Sequence, residues 1–186
     1  FLRGLRHGDA PAALGRLGHS SRADTMMSEI ESTGSLGDLL LHHGLISKED
    51  LAEARRRRQK EGKTVGRILV EMGVLDEREK LALLRKRTRL EIVSLEGVAI
   101  DPEILGMLPR EFCERNMVAP ILVDEDALVV AMEDPTNVVA IDEIEEMVEA
   151  DIRPVIASCR DILDVLRQRQ AMETEAEERT AALAIA

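Results

Sequence analysis

A short block that occurs twice decides the fold. It reads Ser35-Leu36-Gly37-x-x-Leu40-x3-Gly44-x-Ile46 and returns 29 residues later as Thr64-Val65-Gly66-x-x-Leu69-x3-Gly73-x-Leu75. A repeated unit with glycines at fixed offsets presents two equivalent backbone elements together. Formation of a hydrophobic core does not by itself require such a repeat. The repeat therefore predicts a binding or docking module.

Each copy of the block predicts a short helix, a glycine break and a longer helix. Ser35 is placed to cap the first short helix, and Gly44 fits the left-handed position that ends it. Ser47 then caps the longer helix, with Asp50 three residues later in the capping-box position. The second copy repeats this pattern with Thr64, Gly73, Asp76 and Glu79. Two such hairpins should pack on each other.

Composition describes a globular chain with few aromatic side chains. Of 186 residues, 45% are hydrophobic but only 1% are aromatic, namely Phe1 and Phe112. Binders of single-stranded nucleic acid stack bases on aromatic rings, so that role is disfavoured. The apolar runs are far shorter than the roughly 20 residues that span a bilayer, so we predict no membrane insertion. Cys113 and Cys159 stand singly, which predicts two small buried side chains in a reduced protein.

Charge divides the chain into a basic and an acidic part. The formal net charge is −11, but residues 55–89 carry thirteen Lys or Arg against five acids, and residues 90–186 carry seven against twenty-three. These counts give +8 and −16. Clustered like charges raise the rate of encounter with an oppositely charged partner. The alternative is a solvated helix face.

The chain divides into four zones. Residues 1–32 have little apolar periodicity and predict a disordered leader, in which Met26 and Met27 resemble a translation start. Residues 33–89 form the predicted duplicated helical subdomain, and residues 90–170 a small α/β subdomain. Residues 171–186 are an acidic, Ala-rich tail, predicted as frayed helix or disorder.

The fold class is therefore α+β, with a helical part followed by a three-stranded α/β part. Period-2 patterns predict strands at 117–123, 127–132 and 152–156, and a short strand at 91–95. A polar turn at 124–126 joins the first two of these. Helical segments are predicted at 102–108, 110–116 and 138–149, and from the N-cap Ser158 onward. The side chains predicted to face inward from the last two helices are Ile141, Ile144, Val148, Ile162, Val165 and Leu166.

A family resemblance rests on the doubled block and on the segments that follow it. These segments are Leu108-Pro109, Pro120, Leu128-Val129-Val130-Ala131-Met132-Glu133-Asp134-Pro135 and Ala140-Ile141-Asp142-Glu143-Ile144. Over residues 34–170 the chain resembles the N-terminal domain of bacterial type II secretion and type IV pilus assembly ATPases, the MshEN or secretion-ATPase N-terminal type. The resemblance implies a module ahead of a hexameric motor that docks on an inner-membrane platform protein or binds cyclic di-GMP.

Nothing in the sequence predicts catalysis, a metal site or a cofactor. Glu61-Gly62-Lys63-Thr64 resembles the end of a phosphate loop, but Arg57 stands where the first glycine belongs and a basic helix precedes it. The motor domain of the family is not expected in this sequence. The adjacent His42 and His43 point about 100° apart on a helix and cannot jointly bind a metal. We therefore predict that the chain is not an enzyme.

Cyclic di-GMP is the ligand that the resemblance implies. The family block begins with Arg-Leu-Gly and ends with Gln, but Ser35 and Thr64 replace the arginines here, and Lys80 replaces one leucine. Each lost charge-assisted contact costs about 1.5 to 3 kcal/mol, so two losses weaken binding more than about a hundredfold. The frame is kept while its polar contacts are lost. Candidate ligand-binding residues are Leu36, Gly37, Leu51, Arg55, Arg58, Val65, Gly66, Leu84 and Arg87.

A docking function accounts best for these patterns. The arginines at 55–58 fan around a helix within an acidic chain, so nucleic-acid binding is disfavoured. We predict a non-enzymatic docking or regulatory module whose partner is a secretion or pilus assembly protein, either a motor ATPase or an inner-membrane platform protein. The alternative is a cyclic di-GMP sensor. The expected location is the cytoplasm, or the inner-membrane periphery through a partner, and the oligomeric state is left open.

Overall fold

Helices make up the first half of the structure and a small sheet organises the second. The computed structural model describes residues 35–124 and 127–185, except the side chains of 183–185; the predicted leader and part of the polar turn lie outside these residues. The first four helices are α1 (Leu36–His42), α2 (Lys48–Glu61), α3 (Val65–Glu71) and α4 (Glu77–Thr88). They form the two predicted helix-break-helix units.

Local side-chain chemistry places the helix ends as the sequence predicts. Ser35 accepts a hydrogen bond from the Asp38 amide, and Ser47 and Asp50 make a reciprocal capping box. Thr64 and Asp76 cap α3 and α4 in turn. The glycines at the two breaks, Gly44 and Gly73, have φ angles of 69° and 71°. An L side chain rarely adopts that left-handed backbone, so glycine ends both short helices.

The second half contains a three-stranded mixed sheet of β1 (Val118–Asp124), β2 (Ala127–Met132) and β3 (Asp151–Ile156), which lie in that order. β1 and β2 pair antiparallel, from Val118 opposite Met132 to Asp124 opposite Ala127. β3 runs parallel to β2. A parallel pair needs a crossover, which the helix α7 (Val138–Val148) supplies. The remaining elements are the helices α5 (Pro102–Leu105), α6 (Arg110–Asn116) and α8 (Cys159–Ile185).

The predicted strand at 91–95 is wrong, because this segment makes only one isolated bridge. Val93 donates to the Ile156 carbonyl and Ile156 donates to the Glu91 carbonyl, both at 2.8 Å. The ladder cannot continue toward the start of β3, where Pro154 has no amide hydrogen. In the other direction, the next ladder bond would come from the Ser158 amide. Among the described residues that amide makes no backbone hydrogen bond to this segment, and Ser158 instead caps α8. Two hydrogen bonds therefore hold a segment whose alternation resembled a strand.

Two hydrophobic clusters fill the interior. The larger surrounds the sheet, and the predicted inward-facing side chains of α7 and α8 are all buried in it. The smaller lies among the four N-terminal helices, and Ile156 of β3 belongs to it. The edge of the sheet therefore contributes to the helical cluster, which joins the two halves of the molecule.

The C-terminal tail continues as helix. α8 begins after Ser158, whose hydroxyl accepts a hydrogen bond from the Asp161 amide, and it continues to Ile185 through the segment predicted as frayed helix or disorder. Only its first turns bury apolar side chains. Alanine, glutamate and arginine have high helix propensity, and Arg169 pairs with Glu173 one turn later at 2.7 Å. The tail is an exposed helix with local support.

Candidate functional site

The two copies of the block bring glycines into close contact with neighbouring side chains. A Cβ at Gly37 would lie 2.6 Å from Leu51 Cδ1, and one at Gly66 would lie 2.9 Å from Glu133 Oε1 and 3.1 Å from Leu36 Cδ2. The 2.6 Å and 2.9 Å distances are shorter than those that real Cβ atoms adopt, and the 3.1 Å distance is tight. The glycines at these equivalent positions therefore allow close packing, one against a leucine and the other against a carboxylate.

A buried ionic cluster joins the second block to the sheet. Lys80 Nζ lies 2.8 Å from Glu133 Oε1 and 3.0 Å from Glu77 Oε1, and the Lys80 and Glu133 side chains are both 0% exposed. Thr64 donates its hydroxyl to the other oxygen of Glu133. Glu77 also accepts from the Cys159 amide at 3.3 Å. The cluster thus connects α3 and α4 with the end of β2 and the start of α8.

Charge pairing keeps Lys80 protonated in this cluster. Burial lowers the pKa of its ammonium, but the charges of Glu133 and Glu77 outweigh burial and leave the pKa above its usual value. Next along the chain, removal from water raises the pKa of Asp134 to about 6, against hydrogen bonds from the Thr136 amide and hydroxyl that lower it. Asp134, whose carboxyl has a raised pKa, therefore follows Glu133, whose carboxylate is paired with Lys80.

Near the C-terminal end of α2, some of the basic side chains pair with carboxylates. Arg57 Nε lies 2.7 Å from Glu61 Oε1, and Lys63 Nζ lies 2.9 Å from Glu61 and 2.7 Å from Glu71. Hydrogen bonds from Arg57 and Lys63 lower the pKa of the Glu61 carboxyl to about 2. Among residues 35–124 and 127–185, Arg58 makes no ion pair. Arg58 is thus a cation that α2 presents to solvent.

The resemblance to a phosphate loop has a structural explanation. Gly62 ends α2 in the left-handed conformation, and Thr64 is the N-cap of α3. Lys63 lies between them and pairs with the two glutamates named above. The segment is a link between two helices, whereas a phosphate loop follows a strand. The interpretation of this motif as a false match is confirmed.

A basic groove on α4 was missed by sequence reasoning. It has a volume of about 700 Å³ and combines four cationic side chains with apolar ones. Arg78, Ala82, Arg85 and Arg89 follow the spacing i, i+4, i+7 and i+11, which is one helical face, so that spacing could have identified it. The groove is lined by Arg78, Leu81, Ala82, Arg85, Lys86, Arg89 and Ile92.

The nine predicted ligand-binding residues do not line one cavity. Gly37, Gly66 and the three leucines at 36, 51 and 84 are buried, and Val65 is half-buried. Arg55 lies 2.9 Å from Asp38, and Arg58 is exposed. Arg87 lines a shallow cavity of about 430 Å³ with Asp38, Leu39, His42 and His43. The structure thus places the apolar members in the helical cluster and the arginines at the surface, and their role in binding stays a prediction.

The described residues offer no metal site. In the part of the chain that the structure covers, no three His, Cys, Asp or Glu side chains gather as metal ligands. The rings of His42 and His43 meet edge to face with their planes at 87°. Cys113 and Cys159 are free and buried, and burial raises the pKa of both thiols to about 12. Both cysteines act as small apolar side chains, as predicted.

No helix in the described ranges is both long enough and apolar enough to span a membrane. α8 has the length, but four glutamates stand within its residues 173–178.

Comparison with known proteins identifies relatives of this chain. Residues 88–176 match the family model described as the MshEN domain. The type IV pilus assembly ATPase PilB of Myxococcus xanthus (strain DK1622) is 32% identical over 126 residues, covering 68% of this chain and 22% of that protein. The chain therefore spans about a fifth of the length of this curated relative.

Two solved structures resemble the fold. The structure of MshE with cdg, that is, cyclic di-GMP, is 26% identical, covers 73% of this chain and 99% of that chain, and has a TM-score of 0.52. The N-terminal domain of XpsE is 20% identical, covers 75% of this chain and 94% of that chain, and has a TM-score of 0.57. The predicted α+β fold is confirmed, and these matches cover the part of such proteins that lacks the ATPase domain.

Proposed function

Because residues 88–176 form an MshEN domain and the chain is homologous to the N-terminal regions of secretion and pilus ATPases, we propose that it is a non-enzymatic docking or regulatory module. The observation that carries this proposal is the match of residues 88–176 to the MshEN domain, together with the likeness of the fold to the N-terminal domain of XpsE. In the structure, the ionic cluster at Lys80 and the side chain of Ile156 connect the four N-terminal helices with the sheet.

The proposed partner is a secretion or pilus assembly protein, either a motor ATPase or an inner-membrane platform protein. The relative's name as a pilus assembly ATPase supports this class of partner. The module would then work in the cytoplasm or at the inner-membrane periphery. The proposed docking surface is the C-terminal part of α2, because Arg58 and Lys60 are exposed there and make no ion pair in the described ranges. An acidic partner surface would approach there faster than a neutral one.

Cyclic di-GMP binding is the second candidate, and the structure of MshE with cdg favours it. In this chain, however, the second block holds an internal carboxylate. Glu133 accepts from Thr64, which stands where the family block has its leading Arg. It also lies against Gly66, the glycine of the Arg-Leu-Gly start of that block. A phosphate there would meet a negative charge held by Lys80. We therefore expect weak binding or none.

Association kinetics test the docking proposal. We expect Arg58→Glu with Lys60→Glu to slow association with a partner recovered by pull-down, and to flatten its salt dependence, because exposed charges act mainly on the encounter rate. Arg160→Glu with Arg167→Glu on α8 makes an equal charge change and should leave association unchanged. Equal rates for wild type and the α2 variant at all salt concentrations would refute the docking surface. Submicromolar cyclic di-GMP affinity in calorimetry, lost in Arg58→Ala or Arg87→Ala, would favour the sensor instead.

A further inference from the structure

The α4 groove is a cationic surface without partners inside the described molecule. Its four cations make no ion pair with any carboxylate of residues 35–124 or 127–185. Leu81 lines the groove, and Ile92 keeps 39% of its surface exposed at the same place. Four cations around apolar atoms repel one another and leave apolar surface in water. Such a groove is suited to an acidic ligand that carries its own apolar side chains.

Helix α7 carries the complementary surface. Val139, Asp142, Glu143, Glu146 and Met147 follow the i, i+3, i+4, i+7, i+8 spacing of one helical face. Val139 is 65% exposed and Met147 is 41% exposed, so this face presents apolar surface beside its carboxylates. Of these three acids only Glu143 makes an ion pair in the described ranges, at 3.6 Å from Arg115.

Burial and neighbouring acids both act on Glu145, another carboxyl of this helix. Burial first, and then the charges of Asp142 and Asp151, raise the pKa of the Glu145 carboxyl. Within the chain, no ion pair of the described residues joins α7 to the α4 groove. The two surfaces match in charge and in apolar content, yet they do not satisfy each other in one molecule.

We propose that the α4 groove of one chain receives α7 of a second copy. The carboxylates of α7 would pair with the groove arginines, and Val139 and Met147 would cover Leu81 and Ile92. Exposed ion pairs contribute little each, so the apolar contacts supply most of the affinity and the charges set the orientation. The contact is heterologous, because different surfaces meet, and it builds rings or open chains of copies rather than a two-fold dimer. It uses a different helix from the α2 docking surface.

Sedimentation velocity over a protein concentration series tests this proposal. At about 50 mM salt we expect self-association, weakened roughly tenfold or more at about 300 mM, where the Debye length is less than half as long. Arg85→Glu with Arg89→Glu should abolish it, and so should Asp142→Lys with Glu146→Lys. A chain carrying all four substitutions restores opposite charges across the contact and should associate again. Arg160→Glu with Arg167→Glu on α8 makes an equal charge change outside both surfaces, so it is the matched control and should associate like wild type.

Several results would overturn the proposal. Wild type that stays monomeric at low salt and high concentration would do so, as would association that survives either charge reversal. Failure of the four-substitution chain to associate, with circular dichroism showing it folded, would show that the pairing is not between these helices. Binding of the groove to vesicles containing anionic lipid, with the protein monomeric, would assign the groove to a membrane surface. None of these outcomes depends on whether a partner docks on α2.

Discussion

Lys80 stays buried as a charged residue, at a position where the family resemblance implies leucine. Removing an ammonium and a carboxylate from water costs several kcal/mol each, which their mutual attraction offsets only when both are well paired. Lys80 has Glu133 and Glu77, and Glu133 has Lys80 and Thr64. The replacement of leucine by lysine is therefore matched by a carboxylate on the other half of the molecule.

Substitutions at this pair should be strongly coupled. Lys80→Leu leaves Glu133 buried without its cation, and we expect a loss of about 3 to 5 kcal/mol in the free energy of unfolding. Lys80→Leu with Glu133→Leu removes both charges and should come within about 2 kcal/mol of wild type. Urea denaturation at pH 7 measures both. Arg67→Leu with Glu71→Leu provides an exposed pair for comparison, with coupling below about 1 kcal/mol. Additive losses at Lys80 and Glu133 would contradict the pairing.

Asp134 should give stability a pH dependence of unusual sign for a carboxyl. Its pKa is about 6 in the folded chain and ordinarily 3.8, so the folded state holds the proton more tightly. Stability from this group is present below about pH 4 and is lost as the pH rises through 6. Because the side chain is only partly buried, we expect a loss of about 1 to 2 kcal/mol between pH 4 and 7.

Asp134→Asn isolates this effect, since the amide oxygen can still accept from Thr136. The advantage of the variant over wild type in urea denaturation should grow from pH 4.5 to pH 7. Asp151→Asn changes an exposed aspartate in the same way and serves as the control. A constant difference between the Asp134 variant and wild type across this range would rule out the raised pKa.

At the scale of the element, the repeated block builds two short helices whose surroundings differ. Gly37 of α1 faces the end of the Leu51 side chain, whereas Gly66 of α3 faces the Glu133 carboxylate. A leucine methyl group can move to another rotamer. The carboxylate is held by Lys80 and Thr64 and cannot withdraw without breaking the buried cluster. The same motif glycine is thus more constrained in the second copy.

Alanine substitution should expose this difference. We expect Gly66→Ala to lower the free energy of unfolding by about 1 to 3 kcal/mol, because its Cβ would overlap Glu133 and Leu36. Gly37→Ala should cost less, since Leu51 can adjust and alanine favours the helix. Thermal and urea unfolding of both variants measure the order. A Gly66 variant as stable as wild type, or less affected than Gly37→Ala, would show that the carboxylate yields.

At the scale of the whole molecule, local chemistry was predictable and long-range pairing was not. Capping side chains and left-handed glycines act within a few residues, so the sequence located the four N-terminal helices and the three strands. The segment at 91–95 was mistaken for a strand because its outcome depends on the proline at 154, far along the chain. The Lys80 and Glu133 contact joins positions 53 residues apart, and no local pattern indicates it.

The candidate site follows the same division. Sequence reasoning found the doubled block and its missing arginines, since both are read directly from aligned positions. It did not find that Glu133, the residue after β2, lies against the second block. It also did not find that α4 gathers its arginines along one groove with Ile92. The first depends on tertiary packing. The groove on α4 could have been identified from the helical spacing of its arginines. A net charge counted over residues 55–89 does not show which cations share a helix face.

The separation of Lys80 and Glu133 along the chain also sets an order of events during synthesis. A ribosome adds about 5 to 20 residues per second, so the 53 positions between them take roughly 3 to 10 seconds. During that interval Lys80 has been made and its partner has not. Its ammonium must stay hydrated until then, because burial without a counterion is costly. We therefore expect the nascent helical half to remain loosely packed until the sheet that follows it has been made.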